Sequence, residues 1–180
     1  MIRNFLLATG LALACVTSPL ASAASPDVTL EDLQGKSHHF SEYIGRGQWT
    51  VLVMWGPRCP PCIEEMPELQ SFHDDHKSGK VTVLGVAVDF PSFGAAPREE
   101  VAKFAQDYLI SFPLLLGSAE AFTRFCGADL QGVPTTLIYD PQGAIVVRHT
   151  GSVTRDMIER FIKNEQLTAA RTRILPAAVP

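Results

Sequence analysis

Cys59 and Cys62, in the run Arg58-Cys59-Pro60-Pro61-Cys62, are the residues of this chain with most chemistry to offer. A thiol pair at this spacing either cycles between dithiol and disulfide or holds zinc or another soft metal as thiolates. Two further cysteines, Cys15 and Cys126, stand far away. A close pair with leftovers fits a redox couple better than a set of structural staples. A cysteine that opens a helix meets unsatisfied amide hydrogens and the positive end of the helix dipole, both of which stabilise a thiolate. Cys59 is therefore the expected nucleophile. Cys62, one turn further in, is the expected resolving thiol, attacking Cys59 to release a mixed-disulfide partner. Pro60 and Pro61 supply no N–H and no cation, so the Cys59 thiolate gains less than it would beside a histidine. Because a stabilised reduced form makes a strong oxidant, this pair is expected to be the better reductant, in a reductase or isomerase role rather than an oxidase one. Glu65 follows Cys62 by three residues and shares its helix face. It reads as a proton acceptor for the resolving thiol, or as an exposed carboxylate without a role, as Glu64 is.

The elements that place this pair are legible around it. Trp49 to Trp55 is a β-branched and aromatic run, cut off by Gly56-Pro57, and predicts a buried central strand. From Cys59 to about Lys77, Ile63, Met66, Leu69 and Phe72 recur near helical period and predict an amphipathic helix that Pro67 should kink. Val81 to Val88 predicts a strand covered on both faces, closing a β-α-β unit. Upstream, Val28-Thr29-Leu30 and Ser37 to Phe40, joined at Gln34-Gly35-Lys36, predict an N-terminal hairpin. Downstream come a loop over Asp89 to Ala96, a helix after Pro97, a strand over Phe112 to Leu116 and a short helix over Ala119 to Phe125. A hairpin then turns at Asp140-Pro141-Gln142-Gly143, and Met157, Ile158, Phe161 and Ile162 mark a closing helix. Residues 166–180 lack a sustained period and are expected to form a loose tail.

With 180 residues, 46% of them hydrophobic, the chain has material for one buried core, so residues 24–165 are read as one domain. A net charge of −4 without a basic stripe argues against nucleic acid as a partner. Residues 1–23 have the layout of a secretory signal: Arg3, an apolar core from Phe5 to Val16, and the small-x-small site Ala21-Ser22-Ala23. That core is shorter than the roughly 20 residues that span a bilayer. Cleavage after Ala23 and a periplasmic location are expected, an uncleaved anchor being the alternative; lipid attachment at Cys15 fits less well.

A strand leading into Trp55-Gly56-Pro57-Arg58-Cys59-Pro60-Pro61-Cys62, a helix, and much later Gly132-Val133-Pro134-Thr135-Thr136 entering a strand resembles the TlpA/ResA-like branch of the thioredoxin superfamily. The likeness covers roughly residues 27–164, and Glu65-Met66-Pro67 and the inserted strand and helix add to it. It implies an α/β thioredoxin-like fold: a central mixed β-sheet flanked by helices, an N-terminal hairpin and a central βα insertion. It implies a cis bond before Pro134, with Pro134 facing Cys59, and places Glu65 close to the thiols. The activity implied is that of an exported thiol–disulfide oxidoreductase, most naturally a reductase of periplasmic client disulfides, with the Cys59–Cys62 disulfide as its redox group and no added cofactor. Its implied partners are exported dithiol or disulfide proteins and a membrane thiol-reducing electron donor, and it is expected to be a monomer. Members of this branch serve cytochrome c maturation, oxidase metal-site assembly or other exported dithiols.

The rival from another class is a copper or other soft-metal carrier using the same two thiolates, for which no third ligand stands nearby in sequence. Peroxidatic relatives of similar fold use a lone cysteine preceded by a threonine, an arrangement absent here. Cys126, in Phe125-Cys126-Gly127, reads as a buried inert thiol, with a regulatory disulfide as the outside reading. His73 and His76, beside Asp74 and Asp75, could hold a metal but read rather as a solvated helix face; His38 and His39 alternate across a strand and cannot converge alone. Trp55 is expected to pack beside the pair, and His149 to sit on a strand surface.

Overall fold

The computed structural model describes residues 28–77 and 79–174, the last six without side-chain detail. The signal-like segment, Cys15 and the final residues lie outside that range. Eleven principal elements follow one another. They are β1 (Thr29–Asp32), β2 (Ser37–His39), β3 (Trp49–Trp55), α1 (Pro60–His76), β4 (Val81–Ala87), α2 (Arg98–Asp107), β5 (Leu114–Leu116), α3 (Ala119–Cys126), β6 (Thr135–Tyr139), β7 (Ile145–Thr150) and α4 (Arg155–Ile174).

The strands form one mixed sheet in the order β2-β1-β5-β4-β3-β6-β7. β3, β4 and β5 run parallel, whereas β6 is antiparallel to β3 and β7 to β6. The expected N-terminal hairpin is present as β1 and β2. What local patterning did not show is that β1 also pairs with β5, so the hairpin extends the central sheet. Together with the helices on both faces, this is a thioredoxin fold with the inserted α2 and β5 between the β-α-β unit and the Val133-Pro134 segment.

The continuous apolar run of β3 has a simple cause. Its seven residues are all buried, because Val51, Val53 and Trp55 face the layer beneath α1, α2 and α4 while Leu52 and Met54 face the layer under α3. α1 runs through Pro67, an interior residue of the helix. Asp140 builds the last hairpin turn, its carboxylate accepting from the amides of Gln142 (3.0 Å) and Ala144 (2.8 Å).

One expectation needs correction. Residues from Gln166 onward were expected to be loose, yet α4 continues to Ile174. The stretch Gln166-Leu167-Thr168-Ala169-Ala170-Arg171 is rich in good helix formers, and no proline interrupts before Pro176. A helix started by a packed apolar face can propagate at little cost, and absence of periodicity was the wrong criterion for ending it.

Gly85, in the middle of β4, is demanded by packing. A Cβ there would stand 2.5 Å from Leu114 Cδ2, 3.1 Å from Trp55 Nε1 and 3.2 Å from Phe112 Cε2. Overfilling a packed layer costs about 1–3 kcal/mol. Gly85→Ala is expected to lower the stability measured by urea unfolding by that amount while leaving the far-ultraviolet dichroism native; an unchanged midpoint would show that β4 and β5 part freely.

Candidate active site

The end of β3 fixes where the thiol pair begins. After Trp55, Gly56 turns the chain under the carbonyl of Val88, leaving no room for a side chain: a Cβ on Gly56 would lie 2.9 Å from that oxygen. The amide of Cys59 then donates to the Gly56 carbonyl (3.1 Å). Cys59 is the N-cap of α1 in an extended conformation, with Pro60 and Pro61 in the first turn. Proline is well suited there, since the first helical amides have no intrahelical acceptor. Its consequence is that Cys59 caps the helix without a side-chain hydrogen bond.

Cys59 and Cys62 are joined as a disulfide, their Cα atoms 5.2 Å apart. Cys59 was expected to be the more open of the two, but in this disulfide form both are 0% exposed. The cover over Cys59 is the Val133 carbonyl, whose oxygen lies 3.7 Å from its Sγ. Val133–Pro134 is a cis peptide, in keeping with what the resemblance implied. Pro60 and Pro61 remain exposed on the outer side.

Glu65 is buried, at 2% exposure, on the face of α1 that carries Cys62. The reading of it as an ordinary exposed carboxylate is thereby excluded. Its Oε2 accepts a hydrogen bond from the Val153 amide (2.9 Å), while Oε1 is buried without a partner. Burial raises its pKa to about 7, the Val153 hydrogen bond opposing it. The Gly151–Val153 segment holds more than Glu65. The Gly151 amide donates to the Pro134 carbonyl (2.9 Å) and the Ser152 hydroxyl to the Pro61 carbonyl (3.3 Å). Three consecutive residues between β7 and α4 thus tie together the proline segment, the first turn of α1 and the buried carboxylate. No local signal marked them, because their contacts lie more than 80 residues away in sequence on the α1 side.

Around this centre, Trp55 is fully buried and tilts against Phe104 of α2 at 4.8 Å between ring centres. Arg58, next to Cys59 in the chain, pairs with Asp89 and reaches Glu100 at 3.5 Å, so the loop after β4 is tethered beside the pair. Ser92, with Arg58, holds the Asp89 carboxyl below its usual range. Cys126 lies on the opposite face of the sheet as a free buried thiol in contact with Arg148, and burial pushes its pKa up. His38 bridges Asp32 (2.8 Å) and Glu42 (3.1 Å), and Glu42 also accepts from the His39 amide (3.0 Å). His149 is half-buried against Phe161 rather than on an open surface. No group of three or more His, Cys, Asp or Glu side chains converges as a metal site among the described residues, and no helix among them is long and apolar enough to cross a membrane.

Comparison with known proteins places this geometry. Residues 21–148 match the AhpC/TSA family. The chain is 31% identical over 143 residues to the thiol-disulfide oxidoreductase ResA of Halalkalibacterium halodurans, covering 79% of this chain and 76% of that protein. It is 30% identical over 148 residues to the ResA of Geobacillus kaustophilus, covering 82% and 79%. Among solved structures, a thiol:disulfide interchange protein of the thioredoxin family from Chlorobium tepidum superposes with a TM-score of 0.66 at 20% identity, covering 78% of this chain and 93% of that one. The chain thus belongs to the AhpC/TSA family as a thioredoxin-fold thiol–disulfide oxidoreductase of the ResA-like kind, with a bonded cysteine pair at the start of α1.

Proposed function

We propose that this protein is an exported reductase of client-protein disulfides, supplied with electrons by a membrane thiol-reducing protein. The observation that carries the direction of the reaction is the pair of prolines in the first turn of α1, which leaves Cys59 capped without a side-chain hydrogen bond. A thiolate with few donors is poorly stabilised, and a dithiol whose reduced form is poorly stabilised gives up its electrons readily.

The exchange runs in two steps. The Cys59 thiolate attacks a client sulfur, forming a Cys59–client disulfide as the client S–S bond breaks and its other sulfur leaves. Cys62, giving its proton to Glu65, then attacks Cys59 Sγ; the intramolecular disulfide forms and the second client thiol departs. Two electrons pass to the client, and the donor restores the dithiol by the reverse route. Pro134 and the Val133 carbonyl beside Cys59 would dock the client backbone during the mixed disulfide. The signal-like first 23 residues support export into the periplasm, and the single chain would work as a monomer on exported dithiol proteins, cytochrome c maturation among the candidates.

Equilibration of the mature protein with glutathione and dithiothreitol buffers is expected to give a reduction potential near that of thioredoxin, about −270 mV, and far from the about −120 mV of a strong oxidant. Pro61→His should raise it by about 30 mV, a tenfold change in the equilibrium constant. A wild-type potential near the oxidising end would overturn the reductase assignment.

Glu65 makes a separate prediction about stability. Its folded pKa of about 7 lies above the unfolded carboxylate value, so the folded state binds more protons than the unfolded one between the two. Its contribution is near zero at acid pH and turns destabilising as pH rises toward and through 7. The stability advantage of Glu65→Gln over wild type, both oxidised, should grow by about 2 kcal/mol between pH 5 and pH 8 in urea unfolding. Parallel curves for the two proteins would show that Glu65 stays charged throughout.

A further inference from the structure

The Val153 amide satisfies only one oxygen of Glu65, and a carboxylate that becomes charged in a buried layer needs a second donor. Among the described residues, three buried side chains carry a polar atom with a hydrogen to give and no partner: Trp55, Thr136 and Tyr139. Tyr139 belongs to the opposite layer of the sheet, with Leu137 and Phe125. Trp55 Nε1 points along the sheet toward β4, 3.1 Å from where a Cβ on Gly85 would stand. Thr136 is left. It is 0% exposed, two residues beyond Pro134, and on the same face of β6 as Ile138, which packs in the layer with Cys62 and Met66 of α1. Its sheet neighbours are Val53 on one side and His149 on the other. His149 lies four residues before Val153, so the strand that flanks Thr136 is the one that delivers the amide to Glu65.

We infer that the Thr136 hydroxyl is the second hydrogen-bond donor to the Glu65 carboxylate, engaging Oε1 when the carboxyl gives up its proton, which makes Thr136 a positioning residue for the proton step at Cys62. The two orphaned groups explain one another. Each costs about 1–3 kcal/mol if left unpaired, and a hydroxyl meeting a carboxylate relieves both. The bond is strongest with the charged acceptor, so it acts most where charge develops rather than on the resting protonated acid. The other charged groups on elements packed against α1 are engaged or remote. Arg155 of α4 pairs with Asp75 and Glu159, Glu68 accepts from the Arg155 amide, and His149 lies against Phe161.

The inference rests on Glu65 as the proton acceptor, and the test separates the two. In protein labelled with 13C at the glutamate carboxyls, the Glu65 titration would be followed by NMR in oxidised and reduced wild type, Thr136→Val, Thr136→Ser and His149→Gln. Losing a hydrogen bond to a charged group shifts a pKa by about one to two units. Thr136→Val is therefore expected to move the Glu65 titration upward by that amount, and the pH profile of client-disulfide reduction with it. Thr136→Ser, which keeps the hydroxyl, should restore both, and His149→Gln should leave them in place. If Thr136→Val leaves the titration unmoved, if Ser behaves like Val, or if His149→Gln moves it equally, the assignment to the hydroxyl falls. If Glu65→Gln leaves the pH profile of reduction unchanged while Thr136→Val still moves the carboxyl titration, the hydrogen bond stands and the proton-acceptor reading of Glu65 fails.

Discussion

The hydrogen bond from the Val153 amide to Glu65, 2.9 Å long and closed off from solvent, is the contact on which the rest of the site depends. It joins α1, which carries both cysteines, to the segment between β7 and α4, and that segment in turn holds the carbonyl of Pro134. The same segment reaches the first turn of α1 through the Ser152 hydroxyl, which donates to the Pro61 carbonyl, so the Glu65 bond extends that registration into the buried layer. A buried carboxyl is costly in either protonation state when its polar atoms are short of partners. A carboxyl whose pKa burial raises to about 7 is what the proposed proton step would use.

The site divides its work between two ends of the same helical turn. The proposed electron exchange falls to Cys59, at the N-cap, beneath a neighbouring carbonyl and beside two exposed prolines. The proposed proton transfer falls to the inward face, where Cys62 and Glu65 are buried with Met66 and Leu69. The prolines serve both ends. They make the helix start sharply, since each fixes φ in the helical range, and they withhold amide donors from the capping sulfur. Arg58 could have offset that loss with its charge, but Asp89 and Glu100 hold its guanidinium. The local balance thus leaves Cys59 with little cationic or amide support, which is the balance that the proposed reductase direction draws on.

Much of this was legible in the sequence because the relevant signals are local. The apolar run of β3, the helical spacing of Met66, Leu69 and Phe72, the Asp140 turn and the junction of strand and helix at Cys59 all act within one element or between neighbours. What could not be read were relations across the chain. β1 docks on β5 because both present apolar residues to the layer under α3, which no window around either strand reveals. The equal burial of Cys59 and Cys62 depends on a carbonyl 74 residues away. The end of α4 was misplaced for a different reason: propensity carried the helix onward where periodicity had ceased.

Glu65 joins both kinds of evidence. Spacing placed it on the face of Cys62, but spacing alone could not distinguish it from Glu64, one residue earlier and exposed. Rotation of one residue around α1, about 100° at 3.6 residues per turn, decides the matter. The same arithmetic puts Glu68 nearly one turn further on, yet Glu68 is exposed and accepts only from the amide of Arg155 at the start of α4. Position along the helix axis therefore matters as much as face. Glu65 sits opposite the Gly151–Val153 segment, where the chain leaves β7 and the layer is closed. Glu68 lies beyond it, where α4 begins and water returns. Of the three carboxyls Glu64, Glu65 and Glu68, Glu65 is the one that the Gly151–Val153 segment seals in.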